Sequence, residues 1–504
     1  MMIERVAVLG LDALSWRYVE KIIRINATDT LKWIFNRSSN MTLKAEFPPF
    51  TFPSWTSIMT GVNPGKHGIF AFDYVDLNNL EHRLCTALDL MHPRIHEILA
   101  YNNIPSIMIN PIPSFPVIPI KNSYIISHMF FVDKPHYSPK NLGKVVSGLP
   151  GHPIIQRTTE FVHAYIRILD HYVSIVEELI TNTEWRLFWI TLNFPDVFLH
   201  HFPEMMNDFM RFEEVILRKI DRIASLLLKH SDAIFIVSDH GFAKYNYAIS
   251  LNDVLVNLGL AKISYGRRKL RDIDEMLFRR MSTCPYREHQ RRRISLIFSK
   301  IVYSPIFYPL RRVLKPILIN LPRAFRLKLI PTIYVDPQKS LAFVSSSSSF
   351  GIYLKKMGIE NSIISYFRKL GGIKWAKKRE EVYSGPYIHR APQIFVCPDY
   401  RRKYFIAKSK IYGREIVRRE FVHHHPDGIF SMFIKKNPIR LELRELHARN
   451  VTPLIIGLMG VPISKMADDI DLLRNILSYL GEKLSLKNYS MRWRITRSLR
   501  STNK

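Results

Sequence analysis

Three stretches of the chain are apolar without strict alternation: residues 5–11 (RVAVLGL), 184–193 (EWRLFWITLN) and 233–238 (AIFIVS). Runs of that length and character predict strands buried on both faces, as in the middle of a parallel sheet covered by helices. Between them the period lengthens, and residues 156–182 and 207–230 repeat apolar positions at helical spacing. Residues 95–130 mix apolar strands with Pro-rich connections (IPSIMINPIPSFPVIPI). After Tyr334 the same texture returns in YVDPQKSLAFV, FGIYLK and QIFVCPDY. It continues in REFVHHHPDGIFSMF over 419–433, read as a histidine cluster, a Pro-Asp-Gly turn and a strand. Residues 451–470 read as a helix and turn packed on the core. The class is α/β, with a mostly parallel central sheet and helices on both faces.

The polar residues that interrupt this pattern stand at its joints. Asp12 closes the first run, at the sheet edge where open α/β folds place ligands, although a helix N-cap would use the same residue. Asp196 and His200 follow the second run four residues apart, so on one helical turn they share a face and can reach one cation. A capped helix with a surface histidine gives the same spacing. Asp239 and His240 end the third run and precede a glycine. A further stretch, FTFPSWTSIMTGVNPGKHGI, places Thr51 and Phe52 before Pro53, with Gly61 as a stop. Thr51 is thereby expected just upstream of a helix, facing unpaired amides and the positive end of the dipole, a setting suited to phosphate.

Composition changes the picture in one respect. The 504 residues are 47% hydrophobic and 23% charged, ordinary for a folded protein, but 73 Lys+Arg against 43 Asp+Glu leave a net charge of +30. Residues 261–330 hold 18 Lys/Arg against 4 Asp/Glu, +14 of that total, with apolar residues interleaved at helical spacing. We read 261–333 as a basic helical insertion or cap that fits an anionic membrane surface or nucleic acid. It lacks the aromatic array of a single-strand groove. Cys85, Cys284 and Cys397 are scattered and form no C-x-x-C pair. That argues against a disulfide framework or thiolate metal site and agrees with a reducing compartment. The opening MMIERVAVLGLDAL reads as a strand rather than a secretory leader, and no apolar run reaches the roughly 20 residues of a membrane helix. The expected location is cytoplasmic.

Taken together, Asp after the first strand, the Thr51 segment, D-x-x-x-H, S-D-H-G and a late H-x-P-D-G-I resemble the type I phosphodiesterase/nucleotide pyrophosphatase family of the alkaline phosphatase superfamily. The resemblance covers most of 1–260 and 334–470. It implies an alkaline-phosphatase-like core in two parts, 1–260 and 334–480, split by the insertion 261–333 and followed by a basic tail, 481–504. Residue by residue it implies Thr51 as nucleophile. Asp12, Asp239 and His240 match the ligands of the metal that also holds the Thr51 oxygen. Asp196, His200 and a late histidine match those of a second metal. The H-x-P-x-G spacing selects His424, with His423 and His425 as alternatives, and His67 in HGI reads as structural.

Two divalent ions, Zn²⁺ first and Mn²⁺ second, suit these N/O ligands. They suit a phosphohydrolase, most simply a phosphodiesterase, acting on a phosphate ester through a Thr51 phospho-enzyme. Where the family's nucleotide pyrophosphatases carry an Asn that contacts a phosphate oxygen, this chain has Phe72, which favours a general phosphodiester or phosphomonoester hydrolase. Neighbouring readings are a phosphomonoesterase, a phosphoglycerate mutase, a phospho-group transferase, and a basic binding protein with a vestigial site. A sulfatase ranks low, since no Cys lies near position 51.

Overall fold

The computed structural model describes residues 3–80, 82–129, 134–153, 157–265, 333–345, 350–407, 411–436, 440–490 and 493. In chain order the strands that matter for the site are β1 (Val6–Leu11), β2 (Ser39–Lys44), β3 (Ser106–Ile109), β4 (Ser123–Ser127), β5 (His136–Ser138), β6 (Leu187–Leu192), β7 (Ala233–Val237), β8 (Gly241–Ile249), β9 (Ile416–His425), β10 (Asp427–Ile434) and β11 (Glu445–His447). Nine of them form one sheet in the order β11-β2-β10-β7-β1-β6-β3-β4-β5. The run from β7 to β4 is parallel throughout. β10 enters antiparallel between β7 and β2, and β5 closes the other edge antiparallel to β4.

The three apolar runs are β1, β6 and β7, side by side at the centre. Along β1, Val6 and Val8 pack on one face with Trp55 and Met59, while Ala7, Leu9 and Leu11 pack on the other with Ile168, Leu169 and Ile220. A strand covered on both faces needs apolar residues at every position, hence the missing alternation. The helices responsible include α1 (Thr51–Thr60) on the first face and α2 (Thr159–Asn182) and α4 (Arg211–His230) on the second, with the single turn α3 (Asp196–Leu199) at the end of β6.

Three expectations are modified. α1 starts at Thr51 itself, with Phe50 as its extended N-cap, so the threonine is the first helical residue rather than a residue upstream. Pro53 still falls in the first turn, and Gly61 ends the helix with φ 74°. The histidine cluster is itself part of a strand: all three histidines lie in β9, paired antiparallel to β8 with Phe242 opposite His424. The basic tail is docked at its start. Leu486–Lys487 pairs with Ile463–Ser464, and Tyr489 and Trp493 are buried, because two large aromatic side chains gain more from burial than their polar neighbours lose.

The chain leaves for the basic stretch from Ile263–Tyr265 and returns in Ile333–Val335, which pair antiparallel, so departure and return are neighbours. Residues 266–332, nearly all of the predicted insertion, lie outside the described residues. Among the described residues no helix is long and apolar enough to cross a membrane.

Candidate active site

The carboxyl ends of β1, β6 and β7 converge with the start of α1 and the end of β9. Asp12 leaves β1 at a sharp turn: Ala13 adopts the left-handed conformation (φ 63°), and its N–H donates to Asp239 Oδ1 at 3.4 Å. Ser238 ties the same two loops together, accepting from the Leu14 N–H at 2.8 Å and donating to the His240 carbonyl at 2.7 Å. Two glycines allow the His240 loop to pass the turn before β10. A Cβ on Gly241 would lie 2.2 Å from the Asp427 carbonyl oxygen, and one on Gly428 would lie 2.5 Å from that of Ser238. The glycines of S-D-H-G and P-D-G are therefore one requirement, the mutual clearance of two segments far apart in sequence.

At the centre, His240 Nε2 lies 3.5 Å from Asp12 Oδ1, 3.3 Å from Asp239 Oδ2 and 3.4 Å from the Thr51 hydroxyl. The Nδ1–H of His240 donates to the Gly241 carbonyl at 3.1 Å, so the Nε2 lone pair faces the carboxylates and the threonine. A second group adjoins it. His424 Nε2 lies 3.2 Å from Asp196 Oδ1 and 2.9 Å from His200 Nε2, and His200 Nε2 is 3.5 Å from Asp196. The Nδ1–H of His424 donates to the Pro49 carbonyl at 3.0 Å, which again turns Nε2 inward. The rings of His240 and His424 stack at 3.9 Å.

The neighbours of His424 are oriented otherwise. His423 Nδ1 accepts the His424 N–H at 2.9 Å while its ring stacks on Phe405 at 4.3 Å, and His425 Nδ1 accepts the Asp427 N–H at 3.2 Å. Among the described residues, two sets of side chains bring potential ligand atoms within 4.8 Å of one another: Asp12, Asp239 and His240, and Asp196, His240 and His424. His67 stands apart. Its Nδ1 accepts the Ile69 N–H at 3.2 Å, so Nε2–H donates to Ser57 at 2.9 Å, and both nitrogens are engaged in the fold.

The electrostatics of the two groups are those of a site built around a cation. Both oxygens of Asp12, Oδ2 of Asp239 and Oδ1 of Asp196 are buried without a hydrogen-bond partner. Several kcal/mol per ion is the effective cost of burying such charges unpaired, more than a few hydrogen bonds recover. Burial pushes the Asp12 carboxyl well above its ordinary range, with Asp239 and Asp196 adding repulsion; burial does the same to Asp239. Burial also drives His240 well below its ordinary value, helped by His424, and His424 itself down to about 3, so both imidazoles are neutral. His424 has committed its proton at Nδ1 to Pro49, so at 2.9 Å either the Nε2–H of His200 or a cation lies between the Nε2 atoms of His200 and His424. These donors fit divalent cations.

The sequence motifs named Ser238, Gly241 and Gly428 without giving Ser238 a role, and they gave no sign that the Pro49 carbonyl would orient His424. Phe72 packs against Phe52 with ring centroids 4.5 Å apart, so the position is filled by an apolar side chain adjoining the residue after Thr51.

A family model described as type I phosphodiesterase / nucleotide pyrophosphatase matches residues 6–300. The match runs past residue 260 and stops short of β9. No curated protein matches the chain. Among solved structures, phosphonoacetate hydrolase from Sinorhizobium meliloti 1021 in complex with phosphonoformate is similar at 14% identity, covering 91% of this chain and 96% of that one, with a TM-score of 0.56. Its phosphonoacetate complex is similar at 13% identity, with the same coverage and a TM-score of 0.55. Human ectonucleotide pyrophosphatase/phosphodiesterase 5 is similar at 13% identity over 91% of this chain and 95% of that one, with a TM-score of 0.50. At such identities the likeness carries the fold alone.

Proposed function

The chain belongs to the type I phosphodiesterase/nucleotide pyrophosphatase family of the alkaline phosphatase superfamily and has an alkaline-phosphatase-like fold; from that premise we propose that it hydrolyses phosphodiesters through a covalent Thr51 phospho-enzyme, with two divalent cations. The observation that carries the proposal is the meeting of the Thr51 hydroxyl with His240, Asp12 and Asp239 at the start of α1. Asp12, Asp239 and His240 would hold one cation, shared with Thr51 Oγ1. Asp196, His200 and His424 would hold the other.

When bound, such cations lower the pKa of a coordinated hydroxyl and neutralise phosphate charge. The neutral His240 at 3.4 Å is beyond the ~2.6–3.2 Å reach of an efficient general base, so the imidazole alone is a weak activator of Thr51. Thr51 Oγ1 attacks phosphorus, the P–O bond to one alcohol breaks and that alcohol leaves. Water then breaks the Thr51–phosphorus bond and releases the phosphomonoester. The first-turn amides of α1 lie where non-bridging oxygens would gather charge.

Zn²⁺ is the first choice of ion and Mn²⁺ the second, on the mixed imidazole and carboxylate donors. Phe72 against Phe52 favours substrates other than nucleotides. We assign the activity to the cytoplasm on the buried free thiols of Cys85 and Cys397. We assign the basic stretch 261–333 to attraction of an anionic partner on its charge alone, a reading that salt-dependent binding to anionic liposomes and to RNA separates from a solvated surface. The direct test is Thr51→Ala. Turnover of bis(4-nitrophenyl) phosphate should vanish while folding and cation content persist, and unchanged turnover would contradict the mechanism.

A further inference from the structure

α1 carries a second polar group toward the same carboxylates. Trp55, one turn after Thr51, is fully buried, and its indole lies over β1 at Gly10, where a Cβ would come within 2.7 Å of the ring. The glycine is thus needed for the indole to sit there. A buried Trp N–H ordinarily has an acceptor, and leaving one unpaired costs roughly 1–3 kcal/mol. Here Nε1 makes no hydrogen bond, and neither does either oxygen of Asp12. By strand alternation Asp12 follows Val6, Val8 and Gly10 on the face of β1 that the indole covers, which sets the two orphans on one side of the chain. Burial raises the Asp12 carboxyl, with Asp239 and Asp196 adding to it, and the Trp55 N–H pulls it the other way. An unpaired donor beside an unpaired acceptor, both enclosed, is an arrangement completed by a change in the acceptor. A carboxylate that gives one oxygen to a cation turns its other oxygen outward and needs a donor there.

We infer that Trp55 is a positioning residue for the cation held by Asp12, Asp239 and His240, its indole N–H holding the Asp12 oxygen that does not bind the ion. The inference rests on the two-cation reading above and adds a link between the nucleophile's helix and a ligand of the ion beside that nucleophile. Through it, the helix that carries Thr51 also sets the angle of Asp12. A Phe at 55 would fill much of the same space and serve the core as well, but could not do this.

The test compares the full-length protein with Trp55→Phe and with a version in which Trp55 is replaced by its benzothiophene isostere, which keeps the bicyclic shape and removes the N–H. Zn²⁺ affinity is measured by chelator competition in a His424→Ala background, where the Asp12 group remains intact. The expected result is a tenfold to hundredfold loss of affinity for the isostere, the scale of an outer-sphere partner, with the melting temperature in chelator unchanged. Trp55→Phe should lose at least as much, and if it fails to fold the isostere decides. An isostere that binds Zn²⁺ like its parent overturns the inference and leaves the two-cation reading standing. A wild-type protein that binds no divalent ion overturns that reading first, and the role of Trp55 with it.

Discussion

The two halves of the site are built differently. Asp12, Asp239 and His240 all stand on the ends of central strands, and all three are fully buried. Asp196, His200 and His424 come from a single helical turn and from a strand of a smaller sheet, and their side chains are 14%, 34% and 5% exposed. The first group is closed because each of its side chains stands just past a strand that two core layers clamp. The second opens to solvent at His200. In the mechanism proposed here the closed half holds the nucleophile, which must not move, and the open half faces the side from which water must arrive. The closed half also has more unpaired charge, since three of its carboxylate oxygens lack a partner against one in the open half.

The contrast breaks most sharply under ligand removal. Asp12→Ala or Asp239→Ala should cost at least a thousandfold (~10³) in kcat/KM and empty the closed half, as judged by metal analysis, because no solvent is at hand to replace a ligand there. His200→Ala should cost less, about tenfold to hundredfold, and excess Zn²⁺ should restore part of it, since water can fill a half-exposed position. Equal losses from the two halves would erase the distinction.

A pH study of the two halves must be separated from a carboxyl that belongs to neither. Glu46, six per cent exposed and five residues before Thr51, is pushed up to about 7 by burial, against the opposing charge of Arg449 at 3.4 Å. Its folded-state pKa lies above its unfolded one, so it favours folding below pH ~4.5 and that contribution is lost as pH rises through 7. The loss is ~3 kcal/mol. Chemical denaturation of the chelated protein between pH 5 and 8 should show it, and Glu46→Gln should flatten the profile. A smaller effect is expected at the turn after Asp12. Ala13→Gly relieves a left-handed alanine and should raise stability by up to about 1 kcal/mol. A drop in Zn²⁺ affinity in that variant would show that the strained turn itself holds Asp12 in place.

The same contrast decides what the sequence could tell. β1, β6 and β7 were legible because continuous apolar runs have few other homes, and Asp12, Asp239 and His240 were legible with them, being the first polar residues after each run. Asp196 and His200 could be placed on one face from their spacing alone. Among the three late histidines only the family's H-x-P-x-G spacing pointed to His424; hydrophobic pattern could not, since which of three successive strand residues faces the site depends on the register of β9 against β8 and on the Pro49 carbonyl. Trp55 and Gly10 looked like core residues, because their relation to Asp12 exists only once α1 lies across β1. The docking of Tyr489 and Trp493 was hidden for a similar reason: charge dominates that tail locally, and its aromatic residues find partners only in the folded chain.

The central claim is that two cations lie beside Thr51, one in each half of the site. Crystals grown with Zn²⁺ and measured at the zinc absorption edge test it directly. The account predicts two anomalous peaks, one among Asp12, Asp239, His240 and the Thr51 hydroxyl, the other among Asp196, His200 and His424. A single peak, or peaks away from Thr51, would contradict it.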